Sequence, residues 1–197
     1  MHETIGRLME LATAGNHDAQ LEFARRLWVG DGIEKDQSEA MRWYYSAAQG
    51  GGPEHQMALG LILCWENGAY QDFGEGFKWI LRAAEEGLLG AQYFVAVEYA
   101  TGENVKQNLS EAARWYEKAA RCGHAEAQYN LATMYFSGEG VKKDISMGKY
   151  WLEMSVAGGE LLALRTISEA YRQGLYGYVA DDVQAEYWEE KYEQGKR

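Results

Sequence analysis

Residues 125–144, AEAQYNLATMYFSGEGVKKD, decide the fold. Ala127, Leu131, Ala132 and Tyr135 recur at helical spacing and share one face. Gly138 follows, where a positive φ ends a helix without steric cost, and Asp144 stands ready to cap another. The second kind of helix is clearest just upstream, in EAARWYEKAARCG, residues 111–123. There Ala112, Ala119 and Ala120 lie beside Trp115 and Tyr116. Alanine lets helix axes approach, and the aromatic rings fill the wedge toward a neighbour. One helix, a glycine turn and a second helix make a hairpin.

The hairpin repeats. Gly15, Gly51, Gly87, Gly123, Gly159 and Gly195 are spaced 36 residues apart, and so are Trp43, Trp79, Trp115 and Trp151, with Tyr187 in the fifth slot. Ala19, His55, Ala91, Ala127 and Ala163 keep the same interval, as do Leu27, Leu63, Tyr99, Tyr135 and Tyr171. Glycine ends the first helix as Gly30, Gly102, Gly138 and Gly174; the second repeat has Glu66 there, with Gly68 two residues on. Asp36 with Glu39, Asp72 with Glu75 and Asn108 with Glu111 read as capping boxes opening the second helix. The fourth repeat keeps Asp144 but has Met147 in place of the glutamate. The fifth has Asp181 with Gln184, one residue late, which predicts an insertion in its loop. Residues 1–14 read as a lone second-type helix with Arg7 in the tryptophan slot, a polar end cap; Lys191 in an alanine slot suits the other end. The expectation is an all-α solenoid, one domain over residues 1–197, with a cap helix (1–14) and five 36-residue hairpins at 15–50, 51–86, 87–122, 123–158 and 159–195.

The pattern A-x3-LA-x2-Y-x2-G-x-GV-x2-D followed by WY-x2-AA-x2-G resembles the Sel-1-like repeat family, a relative of the tetratricopeptide repeats. Residues 125–144 supply its first half and 111–123 its second. The second and fifth repeats depart most, with His55 for alanine, Ile80 for tyrosine, and Arg165 and Lys191 in the fifth. The resemblance implies a right-handed α-α superhelix whose first helices line a concave side and bind other proteins. One branch of the family pairs two cysteines within each repeat; Cys64 and Cys122 lie in different repeats and do not fit it.

Composition narrows the function. A formal charge of −11 opposes nucleic-acid phosphates and anionic membranes while suiting a basic protein partner. Two cysteines without C-x-x-C spacing read as thiols in a reducing compartment. With no leader and no apolar run of about 20 residues, the expectation is a cytoplasmic protein. The four histidines, His2, His17, His55 and His124, show no metal-ligand spacing; His55 reads as a partly buried structural imidazole, and His17 and His124 as solvated turn residues. Gly138-Glu139-Gly140 lacks the lysine of a phosphate loop, no serine sits in a nucleophile elbow, and Glu85-Glu86, Asp181-Asp182 and Glu189-Glu190 read as solvated pairs. The reading is therefore neither catalytic, cofactor-binding nor metal-binding.

In a solenoid the repeating residues hold the stack, so a working surface should lie in residues that break the repetition on one face. Outward positions of the first helices supply Leu21, Arg25, Trp28, Met57, Leu61, Trp65, Tyr93, Val97, Tyr129, Phe136, Arg165, Glu169 and Arg172 as partner-binding candidates. Trp28 and Trp65 stand outside the tryptophan register, either anchoring a partner or covering the hairpin loops. Three functions follow: an adaptor or scaffold in a bacterial cytoplasm; an immunity or inhibitor protein neutralising a toxin; and, less favoured, an enzyme or small-ligand binder. The chain is expected as a monomer or weak homodimer.

Overall fold

The computed structural model describes residues 4–65 and 69–196; His2, Glu66 and Gly68 lie outside them. Among the described residues there are eleven helices and no strand: α1 (Ile5–Thr13), α2 (His17–Val29), α3 (Gln37–Gly50), α4 (Pro53–Trp65), α5 (Phe73–Glu85), α6 (Leu89–Thr101), α7 (Leu109–Arg121), α8 (Ala125–Ser137), α9 (Ile145–Ala157), α10 (Leu161–Gln173) and α11 (Asp182–Gly195). The chain forms two compact units, residues 1–91 and 92–197. In the first, α1 packs on α2, α2 on α3, α3 on α4 and α4 on α5. In the second, α7 packs on α8, α8 on α9, α9 on α10 and α10 on α11.

The first unit's core holds Leu8 and Ala12 of the cap helix with Phe23, Leu27, Tyr44, Ala47, Ala48, Leu59 and Leu63. Ala112, Trp115, Ala119, Ala127, Leu131 and Leu152 are buried in the second. Leu27, Leu63, Ala112, Trp115, Ala119, Ala127 and Leu131 are among the recurring positions read from the sequence; Phe23, Leu59 and Leu152 are not.

The second helices open on the expected caps. Asp36 accepts from the Glu39 amide at 2.8 Å, Asp72 from Glu75 at 2.9 Å and Asn108 from Glu111 at 3.2 Å. The reciprocal half of the box is a different story. The cap residues' own amides donate to the preceding first helix, Asp36 to the Leu27 carbonyl, Asp72 to Leu63 and Asn108 to Tyr99. These bonds tie the loop to the recurring Leu/Tyr position and release the glutamates for other partners. Glu39 accepts from the Trp43 indole at 3.3 Å, Glu75 from the Tyr45 hydroxyl at 3.0 Å, and Glu111 pairs with Arg114 at 2.6 Å.

A buried polar series runs through the first helices, without a place among the packing positions read from the sequence. Gln20, Gln56, Gln92 and Gln128 recur at the 36-residue interval, and all are buried. Gln20 donates to the Ala12 carbonyl at 3.1 Å and Gln128 to the Ala120 carbonyl at 3.0 Å, bonding a first helix to the end of the helix before it. Gln56 donates to Glu86 at 2.8 Å instead.

The fifth hairpin carries its insertion between Gly174 and Asp181, and Asp181 accepts from both the Val183 and Gln184 amides. The insertion corrects the register. Counted from the cap, Trp188 fills the tryptophan slot, while Tyr187 turns outward, 48% exposed. Tyr192, not Lys191, then falls in the alanine slot.

Candidate functional site

The second unit holds two adjoining cavities on the first-helix side, of about 300 and 340 Å³. Tyr129 of α8, Thr166 of α10 and Tyr176 of the loop after α10 wall both. Thr133 closes one end, and Leu162, Arg165 and Glu169 the other. Together they make one groove between α8 and α10, floored where the Thr166 hydroxyl meets the Tyr129 hydroxyl at 3.4 Å.

Tyr176 stands two residues after Gly174, the place that Gly32 and Gly140 take after Gly30 and Gly138, also with positive φ. It is the one non-glycine residue with positive φ among the described residues, at 54°. Such a conformation is uncommon for a bulky residue and must be held by its surroundings. Here its ring stacks on Phe136 at 4.1 Å. Phe136 in turn lies over Gly148 of α9, where a Cβ would come within 2.3 Å of the ring. A glycine on one helix thus seats a phenylalanine, which seats a tyrosine at the groove's rim.

The charges here are unevenly engaged. Glu169 accepts from Arg172 at 3.2 Å and from the Gln173 amide. Arg172 also reaches Glu189 at 3.7 Å, beside a separate acidic hollow on α11. Arg165 is exposed and pairs with no carboxylate among the described residues.

The thirteen sequence-derived candidates thus separate. Tyr129, Arg165 and Glu169 come together in the groove. Leu21, Trp28 and Phe136 are buried, at 8%, 7% and 6% exposure, and of these Phe136 lines one of the two cavities. Trp28 lies edge-on to Tyr44 of α3 at 6.2 Å and to Tyr70 of the next hairpin's loop at 6.0 Å. Tyr93 is half-buried and stacked on His124 at 4.3 Å; desolvation there raises its pKa above the usual tyrosine value. Arg25 and Trp65 are exposed, Met57, Leu61 and Val97 half-buried, and Arg172 faces the α11 hollow. Leu162, Thr166 and Tyr176 were missed. Leu162 had a signal, since the matching positions are Asp18, Glu54, Gly90 and Glu126.

Two histidines also depart from expectation. His124 caps α8, accepting from the Ala127 amide at 3.4 Å, and His17 packs against Gly50, where a Cβ would meet its ring at 2.3 Å. His55 is buried as expected, its Nε2 3.1 Å from Asp18 without the alignment of a hydrogen bond. Among the described residues no group of three or more His, Cys, Asp or Glu could hold a metal ion, and no helix is long and apolar enough to cross a membrane.

Successive hairpins sharing one set of packing residues define a helical-repeat solenoid. The Sel1 repeat matches five consecutive segments, residues 17–52, 53–88, 90–124, 125–160 and 161–191, and the chain belongs to that family. Among solved structures it is similar to a Sel1 repeat protein from Oxalobacter formigenes, at 27% identity and a TM-score of 0.85 over 98% of this chain and 56% of that one. It is also similar to c5321, a protective antigen present in uropathogenic Escherichia coli strains displaying an SLR fold, at 30% identity and a TM-score of 0.88 over 98% and 41%. The chain therefore spans about half the length of those two proteins. The immunity protein Pa5087 from Pseudomonas aeruginosa shares the fold, at 19% identity and a TM-score of 0.54 over 97% and 73%. No curated protein matches.

Proposed function

We propose that this chain is a non-enzymatic binding module that takes a partner protein on its first-helix side, with the α8–α10 groove as the anchor. The observation that carries this reading is the convergence of Tyr129, Leu162, Arg165 and Tyr176 on two joined cavities. Aromatic and arginine side chains around a desolvated hollow are the usual anchors of an interface. In the first unit the corresponding contacts are Arg25, Met57, Leu61 and Trp65. The groove suits an apolar side chain seated between Tyr129 and Leu162, with an acidic neighbour reaching Arg165.

Affinity capture with the intact chain, repeated with Tyr129→Ala/Arg165→Glu, tests the groove. The partner recovered by the unchanged chain should bind the double variant at least about tenfold more weakly. Equal affinity would sink the groove as the anchor. The net charge of −11 supports a second, narrower reading, an inhibitor that captures one basic toxin. A single partner held at nanomolar affinity or tighter favours the inhibitor; several weaker partners favour an adaptor.

A further inference from the structure

The two joined cavities of the α8–α10 groove differ in their walls. The one without Leu162 and Arg165, about 340 Å³, is walled by three aromatic rings, Tyr129, Phe136 and Tyr176, with Glu139 beside them. No lysine, arginine or histidine lines it. Glu139 is exposed and forms no ion pair among the described residues. Its amide donates to the Ser137 hydroxyl at 3.2 Å, and that hydroxyl donates to the Met134 carbonyl at 3.3 Å, which ties the loop carrying the carboxylate to the end of α8. The hydroxyls of this cavity are spent within the protein: Thr133 donates to the Asn130 carbonyl at 2.7 Å, and Thr166 to the Tyr129 hydroxyl at 3.4 Å. Ring faces carry negative potential and a carboxylate adds to it, so the compartment is a place for a cation.

The neighbouring hairpin shows what is added here. One repeat earlier the same places hold Tyr93, Ala100, Gly140 and Glu103. The carboxylate is kept, but two of the three rings are gone, and Tyr93 is stacked on His124. A carboxylate alone is an ordinary solvated loop residue. The rings are the addition, and one of them is placed against steric resistance. Tyr176 holds a φ of 54° where the earlier loops use Gly32 and Gly140. Glycine takes that conformation freely; a side chain with a Cβ does not. The ring held there stacks on Phe136 and stays 36% exposed, so it covers one aromatic wall and leaves surface of its own to the cavity. Strain of this kind gathers at ligand clamps, where the surroundings hold it in place.

We propose that this compartment takes a lysine or arginine side chain of the partner protein, its charge held against the Tyr176 ring and paired with Glu139. The inference rests on the groove being the partner's anchor and adds the chemistry of its other end. The segment that fits carries a basic residue at Glu139, an apolar one between Tyr129 and Leu162, and an acidic one at Arg165. A wholly apolar occupant would cover the Glu139 carboxylate and leave it unpaired, and an anion would meet it head on. The net charge of −11 draws a basic segment to the same place.

A displayed library of random dodecapeptides, panned against the intact chain, supplies the probes. Enriched peptides should carry a lysine or arginine, and Glu139→Lys should bind them at least about tenfold more weakly. A double-mutant cycle on the leading peptide then tests the contact itself, with its basic residue replaced by norleucine and Glu139 by glutamine. Each change should weaken binding, and the combined loss should fall short of the product of the two by about threefold or more, as for a direct pair. Tyr176→Gly, which keeps the backbone and removes the ring, should weaken the basic peptide about threefold. Enriched peptides without a basic residue, losses in the cycle that simply multiply, or no enrichment at all would overturn the proposal. So would self-association in sedimentation that Glu139→Lys abolishes, because the occupant would then be a second copy of the chain. Arg165→Glu, which lies outside this cavity, separates the two readings. Weaker binding to it with no coupling to Glu139 keeps the groove and removes the basic pocket; peptides indifferent to both variants remove both.

Discussion

Trp28 and Trp65 share a place in the repeat and differ in what surrounds them. Trp28 fills the angle between Tyr44 and Tyr70, while Trp65 is 55% exposed. Trp28→Ala should cost about 3–5 kcal/mol in urea denaturation, the range for emptying a large aromatic site. Trp65→Ala, at a half-exposed ring, should cost less than Trp28→Ala in the same measurement. Tyr45 is a second single-residue case. Burial, and then the hydrogen bond to Glu75, push its hydroxyl up to about 12 from 10.0. The folded chain therefore keeps this proton longer than the unfolded one. The stabilisation is complete below pH 10 and is lost as pH rises toward 12. Tyr45→Phe should flatten part of that decline in denaturation midpoints between pH 9.5 and 11.5, and an unaltered slope would contradict it. The partner of Tyr45 was hidden in the sequence, since Glu75 lies 30 residues away and looked committed to its own cap.

Helix crossings in this fold depend on how small the touching residues are. In α4 and α5 the contact is glycine on glycine: a Cβ on Gly76 would lie 2.6 Å from the Gly60 carbonyl oxygen, and one on Gly60 2.8 Å from that of Gly76. Sibling repeats place Ala40 and Ala112 at the Gly76 position, so the sequence suggests alanine should be welcome. Helix propensity alone would favour Gly76→Ala by about 1 kcal/mol. The obstacle is backbone, which cannot rotate aside. A net loss of about 1–3 kcal/mol is expected by thermal or chemical denaturation. Between α8 and α9 the space left by Gly148 is filled by Phe136, and Gly148→Ala should unseat both that ring and Tyr176. Its signature would be weakened partner binding at the groove alongside lower stability. The capping pattern, by contrast, was legible to the residue for every second helix. Only the reciprocal glutamate bond failed, because the cap amides found carbonyls on the preceding helix.

Over the whole molecule the dominant electrostatic fact is the charge of −11. If a basic partner is captured, its association rate should fall steeply between about 50 and 500 mM salt while dissociation changes little. Stopped-flow mixing with the recovered partner would measure it, and a rate indifferent to salt would argue against a basic partner. The acidity is spread over solvated helix faces, and at the Leu162 end of the groove the cation Arg165 is the unpaired charge. Long-range attraction and short-range recognition at that end thus use opposite signs, the first drawing in a basic surface and the second selecting an acidic residue within it.

A stack of similar hairpins is written into the chain because each repeat must bury the same small and aromatic face against its neighbours. That demand prints one period in several registers at once. The position of the fifth-repeat insertion was equally plain from Gly174 and Asp181. Its consequence was not: the extra residue turns Tyr187 outward and gives its slot to Trp188. Whether an off-register aromatic is core or surface, as for Trp28, Phe136 and Trp65, depends on the room left by residues on other helices. Periodicity records which face a residue occupies; only packing decides whether that face is covered.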